Sequence, residues 1–172
     1  MSYREISTTA QAAGASPFLP HSMAFTTIAA LGATIAAVIS LQLGLAPWAM
    51  FIGWVAYFTR PTSWRVGLAT GLCLWLGISL GALAKLVLGM MAPVLGNAAF
   101  AVIVFAIASL VVSMRKMPAI NNILAWFLGL IAFFAAHPEP SMIAVLELGG
   151  AASLGILTGR LVQTAQVRLS LS

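Results

Sequence analysis

Three acidic side chains, Glu5, Glu139 and Glu147, and two histidines are all the carboxylates and imidazoles the chain's side chains offer. They are too far apart in sequence to form a ready acid/base pair. His137 and Glu139 flank Pro138 in a turn, and a lone His-x-Glu is a poor metal site and ordinary loop composition. There is no aspartate, no Gly-x-Ser-x-Gly and no Walker loop. No enzyme activity and no cofactor are expected. Glu147 stands apart because it lies within an otherwise apolar run, Ser141–Val162, just ahead of Gly149-Gly150. Lys85 is the corresponding cation of the run Arg65–Leu88. At 1.5 Å per helical residue, Glu147 lies about 9 Å and Lys85 about 6 Å inside their helix ends. Two arrangements fit: an ion pair joining two helices, or Glu147 binding a cation or polar solute while Lys85 snorkels to the interface.

The elements that hold these groups follow from composition. Of 172 residues, 62% are hydrophobic and only 6% charged, with a mean hydropathy of +1.06. Soluble domains carry about 25% charged residues, so a cytosolic enzyme, a disulfide scaffold and a disordered chain are excluded. The basic residues behind the net charge of +5 sit at the ends of apolar runs. They read as orienting charges in a bilayer, and no nucleic-acid partner is expected.

Polar and proline breaks mark six apolar runs: Met23–Gln42, Trp48–Phe58, Arg65–Leu88, Val94–Met114, Ala119–Ala136 and Ser141–Val162. The first exceeds the h-region of a signal peptide and reads as a retained helix. The second is short, but if it crosses, all cations except Lys85 fall on one side of the membrane. The expected fold is therefore an all-α integral membrane protein of six transmembrane helices, with short loops and both termini cytoplasmic. A helix start near Leu43, with Pro47 in the first turn, would lengthen the second span. Residues 1–20 read as a polar cytoplasmic tail holding Arg4 and Glu5, 21–163 as the helical domain, and 164–172 as a short cytoplasmic tail. The regular spacing of Pro47, Pro93 and Pro138, and the likeness of Leu43–Pro47 to Leu88–Pro93, hint at three related hairpins.

Small residues four apart, Gly67, Gly71, Gly77 and Gly81 on the third helix and Ala151, Gly155 and Gly159 on the sixth, predict close packing there. Trp48 and Trp64 fit an interfacial belt. Trp54 and Tyr57, beside Gly53, could narrow a path or stack a planar or cationic solute. Asn121 and Asn122, just inside the fifth run, can bond across helices or cap one; Asn121 is also a candidate on the path.

The segment Leu43–Phe58, reading Leu-Gly-Leu, Trp-Ala-x-Phe-x-Gly and Ala-Tyr-Phe with Pro61 beyond, resembles the signature of the YcdZ-like family of small bacterial inner-membrane proteins of unknown function. The glycine-rich third helix and Phe127-x-Gly129 with Phe133 and Ala135 continue the likeness over roughly residues 25–160. The resemblance implies a bacterial inner-membrane location and puts weight on Trp48, Phe51, Gly53, Tyr57 and Phe58. The sequence thus predicts a homo-oligomeric channel or facilitator for a small polar solute, neutral or cationic and not ATP-coupled. Glu147, Lys85, Trp48, Phe51, Trp54, Tyr57 and Asn121 are its path candidates. A non-transporting accessory subunit and a proton-coupled carrier using Glu147 are the alternatives.

Overall fold

The computed structural model describes residues 20–60 and 63–170; Arg4 and Glu5 of the expected N-terminal tail, and Pro61, lie outside them. All regular structure among the described residues is helical: α1 (Pro20–Gln42), α2 (Pro47–Tyr57), α3 (Trp64–Leu95), α4 (Ala98–Ser113, continued by one 3₁₀ turn at Met114–Lys116), α5 (Ile123–Ala136) and α6 (Met142–Ser170). Four helical stretches, within α1, α3, α4 with its 3₁₀ turn, and α6, are long and apolar enough to cross a membrane, while α5 is a shorter apolar helix. α2, at 11 residues, reaches about 16 Å.

Local chemistry explains the boundaries, and some differ from expectation. α2 begins at Pro47, not near Leu43, because Gly44 takes a left-handed φ of 69° and residues 43–46 form a turn. Ser40 closes that turn, its hydroxyl donating to the Leu45 carbonyl at 3.2 Å. The expected break from Gly89 to Pro93 does not exist. α3 runs through Pro93 and stops at Gly96, whose φ of 53° ends it. Proline this close to a helix end costs one hydrogen bond near an exposed terminus and leaves the rest of the ladder intact. The scheme of three hairpins turning at Pro47, Pro93 and Pro138 is lost with that break. α5 starts at Ile123, because the Asn122 side chain accepts from Ala125 N at 3.3 Å and caps the helix. The two asparagines therefore precede the helix. α6 continues through Ser170, so most of segment 164–172 is helical.

Two close crossings hold the bundle together. α2 lies along α6 in the same direction, with Gly53 on the Ala152 carbonyl and Gly155 on the Met50 carbonyl. α5 lies along α3 in the same direction, with Gly77 on the Trp126 carbonyl and Gly129 on the Leu74 carbonyl. A Cβ at any of these four glycines would collide with backbone, so the small-residue pattern is what permits the approach. Gly159 rests against Tyr57 and Gly81 against Phe133. α3 and α6 run antiparallel, joined where Trp75 Nε1 donates to Ser153 Oγ at 2.9 Å. The core formed between these helices includes Met50, Leu74, Ile78, Phe133 and Leu148. A second cluster, with the unpaired Cys73, packs Trp126 and Val111 between α3, α4 and α5. α1 and α4 flank the bundle and expose apolar faces such as Leu31, Ile35, Phe100 and Phe105. Water would penalise so much exposed apolar surface; the helices fit a membrane protein.

Candidate functional site

Two grooves open at opposite ends of the bundle; α2 and α5 line the first, and the segments just beyond their other ends border the second. The first, about 370 Å³, lies between the turn before α2, Trp48, the C-terminal residues Ala135 and Ala136 of α5, and Glu147 on α6. Glu147 is exposed there and has no hydrogen-bond or ion-pair partner among the described residues. The N-terminus of α2 and the C-terminus of α5 bring opposite partial charges to this groove, of about half an elementary charge each. It can therefore receive donors at Glu147 and hold a dipolar molecule across the gap.

Lys85 does not reach Glu147. Its ammonium donates to the Pro138 carbonyl at 2.6 Å and stands 3.7 Å from Glu139, whose side chain is 94% exposed. So exposed an ion pair contributes at most about 1 kcal/mol. The lysine thus ties α3 to the turn after α5 and leaves Glu147 without a counter-charge among the described residues. In that turn His137 adopts a left-handed φ of 51°, with Nδ1 2.9 Å from the Ala135 carbonyl. No group of three or more His, Cys, Asp or Glu among the described residues could hold a metal ion.

The second groove, about 570 Å³, is bordered by Arg60, Arg65, Thr70, Pro118, Asn121 and Asn122. Here the C-terminus of α2 meets the N-terminus of α5. Arg60 donates from Nη1 to Asn121 Oδ1 and from Nη2 to the Asn121 carbonyl, each at 2.7 Å. Asn122, 4% exposed, donates from Nδ2 to Thr59 Oγ1 at 2.9 Å and to Thr70 Oγ1 at 3.0 Å. Every polar group of this buried amide is engaged, which fixes the loop after α2 to the start of α5. Sequence reasoning placed Asn121 here, but Thr70 and the role of Arg60 escaped it. A threonine in an apolar helix was the available signal.

The aromatic candidates separate. Tyr57 is buried at the junction of α2, α3 and α6, its hydroxyl donating to Gln163 Oε1 at 2.7 Å, its ring against Gly67 and Gly159. Trp54 turns toward Gly32 of α1, with its ring 6.3 Å from Phe58. The two do not face each other across one constriction. Phe51 and Trp48 are partly exposed, at 41% and 39%, and of these only Trp48 lines the Glu147 groove. A side groove of about 310 Å³ between α3 and α6 joins Tyr57, Trp75 and Ser153 to Arg160. The Arg160 guanidinium sits 4.9 Å over the Trp64 ring.

The profile of DUF1097, described as a protein of unknown function, matches residues 25–163. The chain belongs to that family. No curated protein and no solved structure matches it.

Proposed function

We propose that this DUF1097 member is a facilitator that carries a small polar solute, neutral or cationic, across a bacterial inner membrane without ATP. In this reading the chain spans six times with both termini cytoplasmic, works as a homo-oligomer, and is of the YcdZ-like type within its family. The observation that carries the reading is Glu147, without a partner among the described residues, in a groove between the ends of two short helices. A carboxylate in an otherwise apolar helix is costly, and one with no counter-charge among the described residues is best explained by a ligand. The charge distribution supports the orientation: Arg60, Arg65, Arg115, Lys116, Arg160 and Arg168 gather at the end opposite Glu147. The same cations disfavour a free cation at the second groove, which weights the reading toward neutral, dipolar solutes such as small amides.

Stopped-flow light scattering on proteoliposomes tests this with urea, glycerol, ammonium, guanidinium and short carboxylates. Selective permeability that falls in Glu147→Gln supports the reading, and a response equal to that of empty liposomes for every solute rejects it. A carrier using Glu147 as its proton site would instead require flux that follows an imposed proton gradient.

One observation favours a second reading, the accessory subunit. α4 exposes Phe105 at 75% and Phe100 at 60%, beside an almost wholly apolar groove of about 320 Å³ between α3, α4 and α5. Co-purification with another membrane protein at fixed stoichiometry, with no flux by the chain alone, would select that reading.

A further inference from the structure

The two short helices share one sequence pattern. Trp48–Phe58 aligns without a gap on Leu124–Phe134, with Ala49 and Ala125, Phe51 and Phe127, Gly53 and Gly129, Ala56 and Ala132, and Phe58 and Phe134 identical. The long helices repeat likewise: Leu76-Gly77-Ile78 and Gly81 of α3 match Leu154-Gly155-Ile156 and Gly159 of α6. The contacts obey the same correspondence. Gly53 on the Ala152 carbonyl corresponds to Gly129 on that of Leu74, and Gly155 on the Met50 carbonyl to Gly77 on that of Trp126. Gly159 against Tyr57 corresponds to Gly81 against Phe133. Trp75 and Ser153 are counterparts, and they hydrogen-bond to each other at 2.9 Å. A residue that touches its own counterpart lies on a two-fold axis. Because α3 and α6 are antiparallel there, with Gly71 against Ile156 and Gly149 against Trp75, that axis runs perpendicular to the helices.

We propose that the chain is an inverted repeat of one three-helix unit, α1–α3 and α4–α6, and that its two grooves are one mouth built twice, opening on opposite sides of the membrane. The counterparts of Ala144, Glu147 and Leu148 in the first groove are Val66, Ala69 and Thr70, and all three line the second. Each groove lies between the N-terminus of one short helix and the C-terminus of the other. Short helices at matching positions of inverted halves mark the solute site of many transporters. The second mouth differs chiefly in its polar groups: Ala69 stands in place of the carboxylate, the Asn122 amide is already engaged with Thr59 and Thr70, and Arg60 and Arg65 border the opening. What the mouths carry rests on the facilitator reading; the repeat itself does not.

Thiol labelling tests the two separately. Single cysteines at counterpart positions, Ala69→Cys and Glu147→Cys, are placed in a Cys73→Ala background, since the native Cys73 is buried. Right-side-out and inside-out vesicles are then treated with a membrane-impermeant maleimide. The inverted repeat predicts that each cysteine labels in one vesicle orientation, loses labelling in the other, and that the two orientations are opposite. Labelling of both from the same side overturns it. Arg65→Cys and Ile143→Cys, an exposed counterpart pair, give the same readout should the first pair fold poorly. Opposite labelling with no solute flux by the native protein would leave the repeat standing and remove the facilitator reading, whereas native flux with same-sided labelling would do the reverse.

Discussion

Asn122 is the residue on which the Arg60 end of the bundle depends. Its amide caps α5 and joins Thr59 to Thr70. Asn122→Ala removes a cap and two buried hydrogen bonds, at an expected cost of about 2 kcal/mol. Thermal unfolding in detergent should show a Tm lower by about 5 °C, and an unchanged Tm would count against the network. Glu147 carries the opposite prediction. No described residue pairs with it, so Glu147→Gln should leave Tm unchanged while reducing flux of a small neutral amide such as urea about tenfold, the effect of about 1.4 kcal/mol. Glu147 was legible in the sequence because one acid in an apolar run needs no partner to be noticed. The Asn122 contacts were not, because Thr59, Thr70 and Asn122 come from three separate segments and no spacing rule links them. For Lys85 the sequence left two arrangements open, because depth along a helix does not say which way a side chain turns; it turns to Glu139 and away from Glu147.

At the scale of the helix, glycines decide which elements touch. A Cβ at Gly155 would strike the Met50 carbonyl, whereas one at Gly150 meets nothing. Gly155→Ala should therefore destabilise the α2–α6 crossing by about 2 kcal/mol, while Gly150→Ala should be tolerated and favour the helix. Comparing their unfolding in the same detergent checks this, and equal stability would refute the crossing. The glycine stripes of α3 and α6 were visible in the sequence as periodic small residues. Their partners were not, since helical phase gives a face but not what lies against it. Gly77 and Gly81 receive α5, Gly155 and Gly159 receive α2, and α3 and α6 meet each other around Trp75 and Ser153, with Gly71 against Ile156. The run-through at Pro93 has an equally local cause, for the sequence could not show that Gly96 would take a positive φ three residues later.

Across the whole molecule, cations crowd one end and the lone carboxylate of α6 faces a groove at the other, with the two short helices running between them in opposite directions. Composition made the membrane class legible, because so few charges cannot cover a soluble surface. The pairing of one short helix with the opposite half's long helix was not legible, since it is a property of packing between distant segments. Flux most directly tests the claim that the grooves are mouths of a solute path. In stopped-flow light scattering, proteoliposomes of the folded protein should show permeability above empty liposomes for a small polar solute such as urea. They should show none for short carboxylates. A response indistinguishable from empty liposomes across the whole panel would contradict the account.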